Sequence, residues 1–247
     1  MRSVRSLRRS GVRPERPPVL DRFRQRQHRL KSAIERHGVR GAAGRALGRT
    51  LSKRDQYVWY VLGLDRVEPI PFRGDGYELV LGQAEHVELL RDLPAITVDE
   101  GRRRIARGDQ IWFVLHDGEP AFVCSAFLQA IPTEPVPGGC YQLPEGVASL
   151  DDGFTRREYR GRALAPAAWT AIAERLGEQG LDVLVARAGI ENIAARRTHE
   201  KCGFRPFTVM TRERRGFQTH VSFDDEPADL TVAERRAADH LRQTLTR

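Results

Sequence analysis

The sequence predicts a mixed α/β domain, an α+β mixed sheet packed with helices, carrying a basic helical extension at its N-terminus and a helix at its C-terminus. Three observations support this. Between residues 76 and 223, short β-leaning runs alternate with runs of helical periodicity. The positive charge sits at one end: residues 1–56 hold 17 Lys+Arg against 4 Asp+Glu, so the rest of a chain of formal charge +8 is net acidic. Lastly, Asp151 to Ala165 reads Asp-Asp-Gly-Phe-Thr-Arg-Arg-Glu-Tyr-Arg-Gly-Arg-Ala-Leu-Ala, a strand that passes through a tight loop into an Ala-rich helix.

Composition bounds the rest. With 247 residues and 40% hydrophobic content, the chain supports one core domain of roughly 170 residues with appendages outside it. Cys124, Cys140 and Cys202 are odd in number and form no Cys-x-x-Cys pair, which points to a reducing compartment and away from disulfides or zinc; no metal is expected. The N-terminus lacks the apolar core of a signal peptide, and no run reaches the length of a membrane span. A cytoplasmic chain is the expectation. Lysine occurs only at Lys31, Lys53 and Lys201, and that arginine bias is not read as phosphate recognition.

In chain order, Met1 to Pro18 is Arg- and Pro-rich and reads as unstructured. Leu20, Phe23, Leu30 and Ile34 then mark an amphipathic helix ending near Gly38, and Val39 to Leu51 a weaker one. The bland use of this arm is packing on the main domain with its arginines solvated. The sharper use is to lie peripherally on the anionic inner membrane surface or grip an acidic partner, while nucleic acid is disfavoured because no aromatics interleave the charges. Gly44-x-x-x-Gly48-Arg-Thr50 is one residue too short for a nucleotide P-loop, lacks its Lys and follows no strand. Gln56 to Leu64 reads as a buried strand or a docking segment, followed by a linker at Pro69 and Pro71.

From there the pattern gives a strand at Tyr77 to Leu81 and helices at Glu85 to Arg91 and Val98 to Ala106. A hairpin follows, Ile111 to Leu115 with Ala121 to Leu128, turned at Asp117-Gly118. Ala130 to Pro144 holds too many prolines for regular structure and reads as a substrate-facing loop. After the strand ending at Thr155 come a helix at Ala163 to Glu178, a strand at Leu181 to Ala186, a helix at Asn192 to Cys202, and strands around Phe207 to Thr211 and Phe217 to Phe223. Thr231 to Leu245 reads as a surface helix, with Val232, Ala237, Leu241 and Leu245 on one face. The domain organisation is thus a basic arm over 1–56, a core domain over 57–223 and a helical tail over 224–247.

A helix start offers unpaired backbone N–H groups and the positive end of the helix dipole, so the loop before the helix at Ala163 is a pyrophosphate site. Arg160-Gly-Arg-Ala-Leu-Ala165 resembles the acyl-CoA loop of the GNAT N-acetyltransferase superfamily, Arg/Gln-x-x-Gly-x-Gly/Ala, and Asn192-Ile-Ala-Ala-Arg-Arg-Thr-His-Glu-Lys-Cys-Gly-Phe204 resembles its second signature. The order of elements from Gly76 to Phe223 is similar to the GNAT fold. One departure is Ala163, where the family usually has its first glycine; the methyl narrows the approach to the pyrophosphate if the backbone needs φ > 0, whereas a helix-start conformation tolerates it.

The resemblance implies transfer of an acetyl group from acetyl-CoA directly to an amine on an unidentified small molecule or protein. It implies a cradle of backbone N–H groups from Arg160, Gly161, Arg162, Ala163, Leu164 and Ala165, and pairing of pantetheine with the strand end at Phe154 and Thr155. Arg160 and Arg162 either add charge toward the phosphates or are solvated loop arginines. Asn192 bonds the pantetheine arm, caps the following helix, or does both. His199 stands where relatives carry a Tyr thought to protonate the leaving thiolate, or is a packed bystander. Asp151 and Asp152 fall where the splayed central strand faces the acceptor; strand alternation puts them on opposite faces, so one at most, preferably Asp152, takes the amine proton. Competing readings are a module of the same fold that binds acyl-CoA or docks a partner without turnover, and a tRNA-dependent aminoacyl transferase suggested by the basic arm.

Overall fold

The structure, a computed structural model, describes residues 54–93, 95–132, 140–215, 218–225 and 229–245. The two arm helices and the Gly44 motif therefore lie outside the described residues, as does most of the Pro-rich loop. Ten strands and four α-helices are described: β1 (Arg54–Gly63), β2 (Tyr77–Leu81), α1 (Val98–Ala106), β3 (Gln110–His116), β4 (Glu119–Phe127), β5 (Ala130–Pro132), β6 (Cys140–Gln142), β7 (Val147–Thr155), α2 (Leu164–Glu178), β8 (Val183–Gly189), α3 (Ile193–Lys201), β9 (Arg205–Arg215), β10 (Gln218–Asp225) and α4 (Val232–Leu245).

Eight strands form one sheet in the order β10-β9-β1-β8-β7-β4-β3-β2, antiparallel throughout except for the parallel pair β7 and β8. That pair is joined by α2, the crossover that parallel strands require. One face is covered by α2 and α3 over a continuous core that includes Tyr60, Phe122, Leu150, Trp169, Ile172 and Leu184. The other face carries two separate clusters. Helix α4 covers Trp59, Val61, Val185, Phe207 and Met210, while α1 and a 3₁₀ helix at Ala84–Arg91 cover Ile111, Phe113, Val123 and Phe154.

Several expectations are sharpened or corrected. The strand expected at Gln56 to Leu64 is central, between β8 and β9, and begins at Arg54, inside the range assigned to the arm. Its two apolar faces are explained by burial from both sides. The helix expected at Glu85 is a 3₁₀ helix. The Pro-rich stretch is not wholly irregular, because Ala130–Pro132 and Cys140–Gln142 pair as a small two-stranded sheet.

The larger correction concerns the C-terminal helix, expected on the surface. Ala237, Ala238 and Leu241 are buried against the sheet, and it is Val232 that stands exposed at 87%. Glu234, itself buried, accepts from the N–H of Gly63 and of Thr231 and pairs with Arg205, so it fastens α4 to β1 and β9. The helix buries mainly alanine, whose short side chain gives a weak periodic signal.

Candidate active site

The site is made where the sheet opens. The β7/β8 ladder runs from Val147 opposite Val183 to Leu150 opposite Ala186 and ends there. Beyond it, β7 stays with β4 and β8 stays with β1, Arg187 pairing Trp59 and Gly189 pairing Tyr57. A wedge therefore lies between the ends of two neighbouring strands. On its β7 bank the ladder slips: Ser125 opposes Asp151 and Val123 opposes Phe154, so Asp152 and Gly153 together face Cys124. This is a β-bulge, and Asp152 takes φ +56° to make it. Gly153 lies over the indole of Trp169 on α2; a Cβ there would sit 3.2 Å from the ring.

The bulge overturns the expectation that Asp151 and Asp152 point to opposite faces. Asp151 Oδ2 accepts from Arg187 Nη2 at 3.0 Å across the wedge, and its Oδ1 accepts from the Asp152 N–H at 2.8 Å. Asp152 Oδ2 accepts from Arg104 Nη1 at 2.7 Å. Arg187 packs over Tyr57 and Trp59, and Arg104 belongs to α1, so both carboxylates turn toward the face that carries α1 and α4. An extra residue in a strand resets its alternation, which the run of residue types alone does not display.

Arg104 is the anchor of this bank. Its side chain is 7% exposed, donates also to Glu100 Oε1 (3.1 Å) and Ser125 Oγ (2.7 Å), and lies over the Phe127 ring. Burial alone would lower its pKa, but Asp152 and Glu100 outweigh that and hold it raised, so the guanidinium stays charged.

The loop lies at the end of β7. Helix α2 begins after Ala163 with no side-chain cap on its first turn and no acidic residue in it. Pro166 has no N–H, so Leu164 and Ala165 hold the first-turn donors that the helix itself leaves unpaired. Gly161 has φ +80° and open space where a Cβ would stand. The expected cradle narrows at one end, because the Arg160 N–H donates to the Arg157 carbonyl. The Arg160 side chain donates to the Thr155 carbonyl (3.2 Å) and covers the Phe154 ring, while Arg162 donates to the Tyr77 hydroxyl. Phe154 itself is buried under α1, leaving only its main chain to face a ligand. Ala163 has φ +58° and ψ +25°, so the left-handed alternative holds, at a cost of about 1 kcal/mol for a residue with a Cβ.

On the face that α2 covers, Asn192 Oδ1 accepts from the Ala195 N–H and caps α3. His199 is 1% exposed, stacked on Tyr60 and edge-on to Trp169 and Phe204. Its Nδ1 lies 2.7 Å from the Ala195 carbonyl, which can only accept, so Nδ1 carries the proton and Nε2 is an enclosed lone pair. Burial pushes its pKa down to about 4, against a small opposing effect of that carbonyl. The candidate acid is therefore neutral at pH 7 and its one N–H is already engaged. Arg104, Arg187 and Trp169 were missed from sequence. The available signal for Arg104 was its place one turn after Glu100 and three residues after Gly101, on the buried side of α1.

This geometry can be set beside known proteins. The sequence profile of the Acetyltransferase (GNAT) family matches residues 81–204, half of the chain. Among solved structures, a tandem GNAT protein from the clavulanic acid biosynthesis pathway is 18% identical over 75% of this chain and 59% of its own, with a TM-score of 0.48. A GCN5-related N-acetyltransferase from Kribbella flavida is 14% identical over 76% and 65%, with a TM-score of 0.48. One from Sphaerobacter thermophilus is 15% identical over 76% and 58%, also at 0.48. The chain thus spans less than two thirds of the length of these structures, and no curated protein matches it. With the family profile covering β7, the turn into α2 and the helix that follows the wedge, the chain belongs to the GNAT acetyltransferase family.

Proposed function

We propose that the protein is an N-acetyltransferase that moves the acetyl group of acetyl-CoA directly to an amine. The observation that supports this best is the uncapped N-terminus of α2 beside the end of the β7/β8 ladder, an anion site next to a slot between strands. When bound, acetyl-CoA supplies the activated thioester.

The chain supplies position and charge. Backbone donors from Gly161 to Ala165 hold the pyrophosphate, with Arg160 and Arg162 beside them. The main chain at Phe154 and Thr155 holds the pantetheine arm, Asn192 borders it from the head of α3, and the indole of Trp169 forms its floor. The amine nitrogen forms a bond to the carbonyl carbon as the C–S bond breaks; one proton leaves nitrogen toward Asp152, and the thiolate takes one from water. Arg104 beside Asp152 fixes the direction of its carboxylate. Asp151 serves as the orienter, through its bond to the Asp152 N–H. His199 packs the underside of the wedge and gives no proton.

Incubation with acetyl-CoA and a panel of amines, followed by free thiol, tests this. Amine-dependent thiol release is expected. Acetyl-CoA binding without turnover of any amine would favour a binding module instead.

A further inference from the structure

Two guanidinium groups stand at the wedge, and they are used differently. Arg104 is surrounded by partners. Arg187 is mostly buried, its side chain 19% exposed, and lies between the rings of Tyr57 and Trp59 at 5.9 and 5.6 Å. A guanidinium carries five N–H donors. Among the described residues, Arg187 donates one of them, to Asp151 Oδ2. Next to it, the Trp59 indole N–H is buried, its residue 0% exposed, with no partner among the described residues.

A half-buried cation that keeps most of its donors unused at the mouth of the wedge fits an anionic oxygen ligand. Arg187 lies on the β8 bank of the wedge, across from Asp152, with the Trp59 ring packed beneath it. A plain anion would meet Asp151 and Asp152, and a plain cation would meet Arg187 and Arg104. A molecule with both charges matches the strip.

Resting on the acetyltransferase reading, we infer that the acceptor is an amino carboxylate, an α-amino acid or a close analogue. Its carboxylate is gripped by Arg187 and its amine is delivered to the Asp152 bank. The amine nitrogen forms the amide as the thioester C–S bond breaks; the carboxylate is unchanged. Arg187 is thus the specificity-determining residue, and it stands apart from the coenzyme loop.

Matched pairs of acceptors test this: leucine with isoamylamine, lysine with cadaverine, tyrosine with tyramine, and histidine with histamine. At least one amino acid should be acetylated with kcat/KM roughly 100-fold above that of its decarboxylated partner. Arg187→Gln should close that gap by lowering the rate with the amino acid far more than with its decarboxylated partner, whose smaller loss reports the freed Asp151, and Arg187→Lys should restore part of it. Calorimetric binding of acetyl-CoA should be the same in all three proteins. Equal or better turnover of the decarboxylated amines, an equal loss on both members of a pair, or no turnover of either set by a protein that binds acetyl-CoA would overturn the inference. Failure of the wild type to bind acetyl-CoA would instead overturn the acetyltransferase reading beneath it.

Discussion

The two ion pairs that flank the wedge look alike in composition and differ in what surrounds them. Arg104 and Asp152 meet at 2.7 Å with Glu100, Ser125 and Phe127 packed around the guanidinium. Arg187 and Asp151 meet at 3.0 Å with two aromatic faces and solvent around theirs. The first is a fixture at the bulge, and the second is a pair whose guanidinium has donors to spare. Burial and the number of partners separate the roles; residue type does not.

The largest effect should come from breaking the fixture. Arg104→Met leaves Glu100 and Asp152 without their buried counter-charge, and a loss of about 3–5 kcal/mol is expected in urea unfolding. Arg187→Gln should cost less, about 1 kcal/mol in the same experiment, because its guanidinium itself reaches solvent and holds one carboxylate where Arg104 holds three groups. Equal losses would erase the distinction between the two banks.

A second test concerns the underside of the wedge, where His199 is as enclosed as Arg104 but neutral. Its folded pKa of about 4 lies below the ordinary 6.5, so the unfolded chain binds the extra proton between those values. Stability contributed by the neutral ring is complete above pH 6.5 and is lost as pH falls toward 4, by about 2 kcal/mol at pH 5. His199→Phe should flatten that part of the pH dependence of unfolding. An unchanged slope would mean that the ring is not buried as described.

The smallest effect belongs to the loop. Ala163→Gly relieves the left-handed backbone, offset by the chain entropy glycine adds to the unfolded state, for a net change within about 1 kcal/mol. Acetyl-CoA binding should tighten or hold.

Much of the frame was legible in the sequence. The Asp117-Gly118 turn fixed the β3/β4 hairpin, and helix α1 follows its expected bounds because Thr97 caps it. The turn at Gly161 and the start of α2 were legible for the same reason, because a glycine and a helix start are local signals. The bulge was not, since Asp-Asp-Gly reads equally well as regular strand, and only pairing with β4 exposes the slip at Cys124. The ion pairs were hidden for a related reason. Arg187 reaches Asp151 across the wedge and Arg104 reaches Asp152 from another element, and no window of sequence holds both partners. Helix α4 was misjudged because Ala237 and Ala238 bury little area each while Glu234 fastens the helix by hydrogen bonds.

The central claim is that the first turn of α2 receives the pyrophosphate of the acyl donor. Calorimetric titration of acetyl-CoA into the wild type and Ala165→Glu tests it most directly. A carboxylate there suits a helix N-terminus, so folding stability should hold or rise slightly. The same charge opposes a diphosphate, so saturable binding in the wild type should weaken at least ~10-fold in the variant. Equal affinity in the two proteins, or no binding in either, would contradict it.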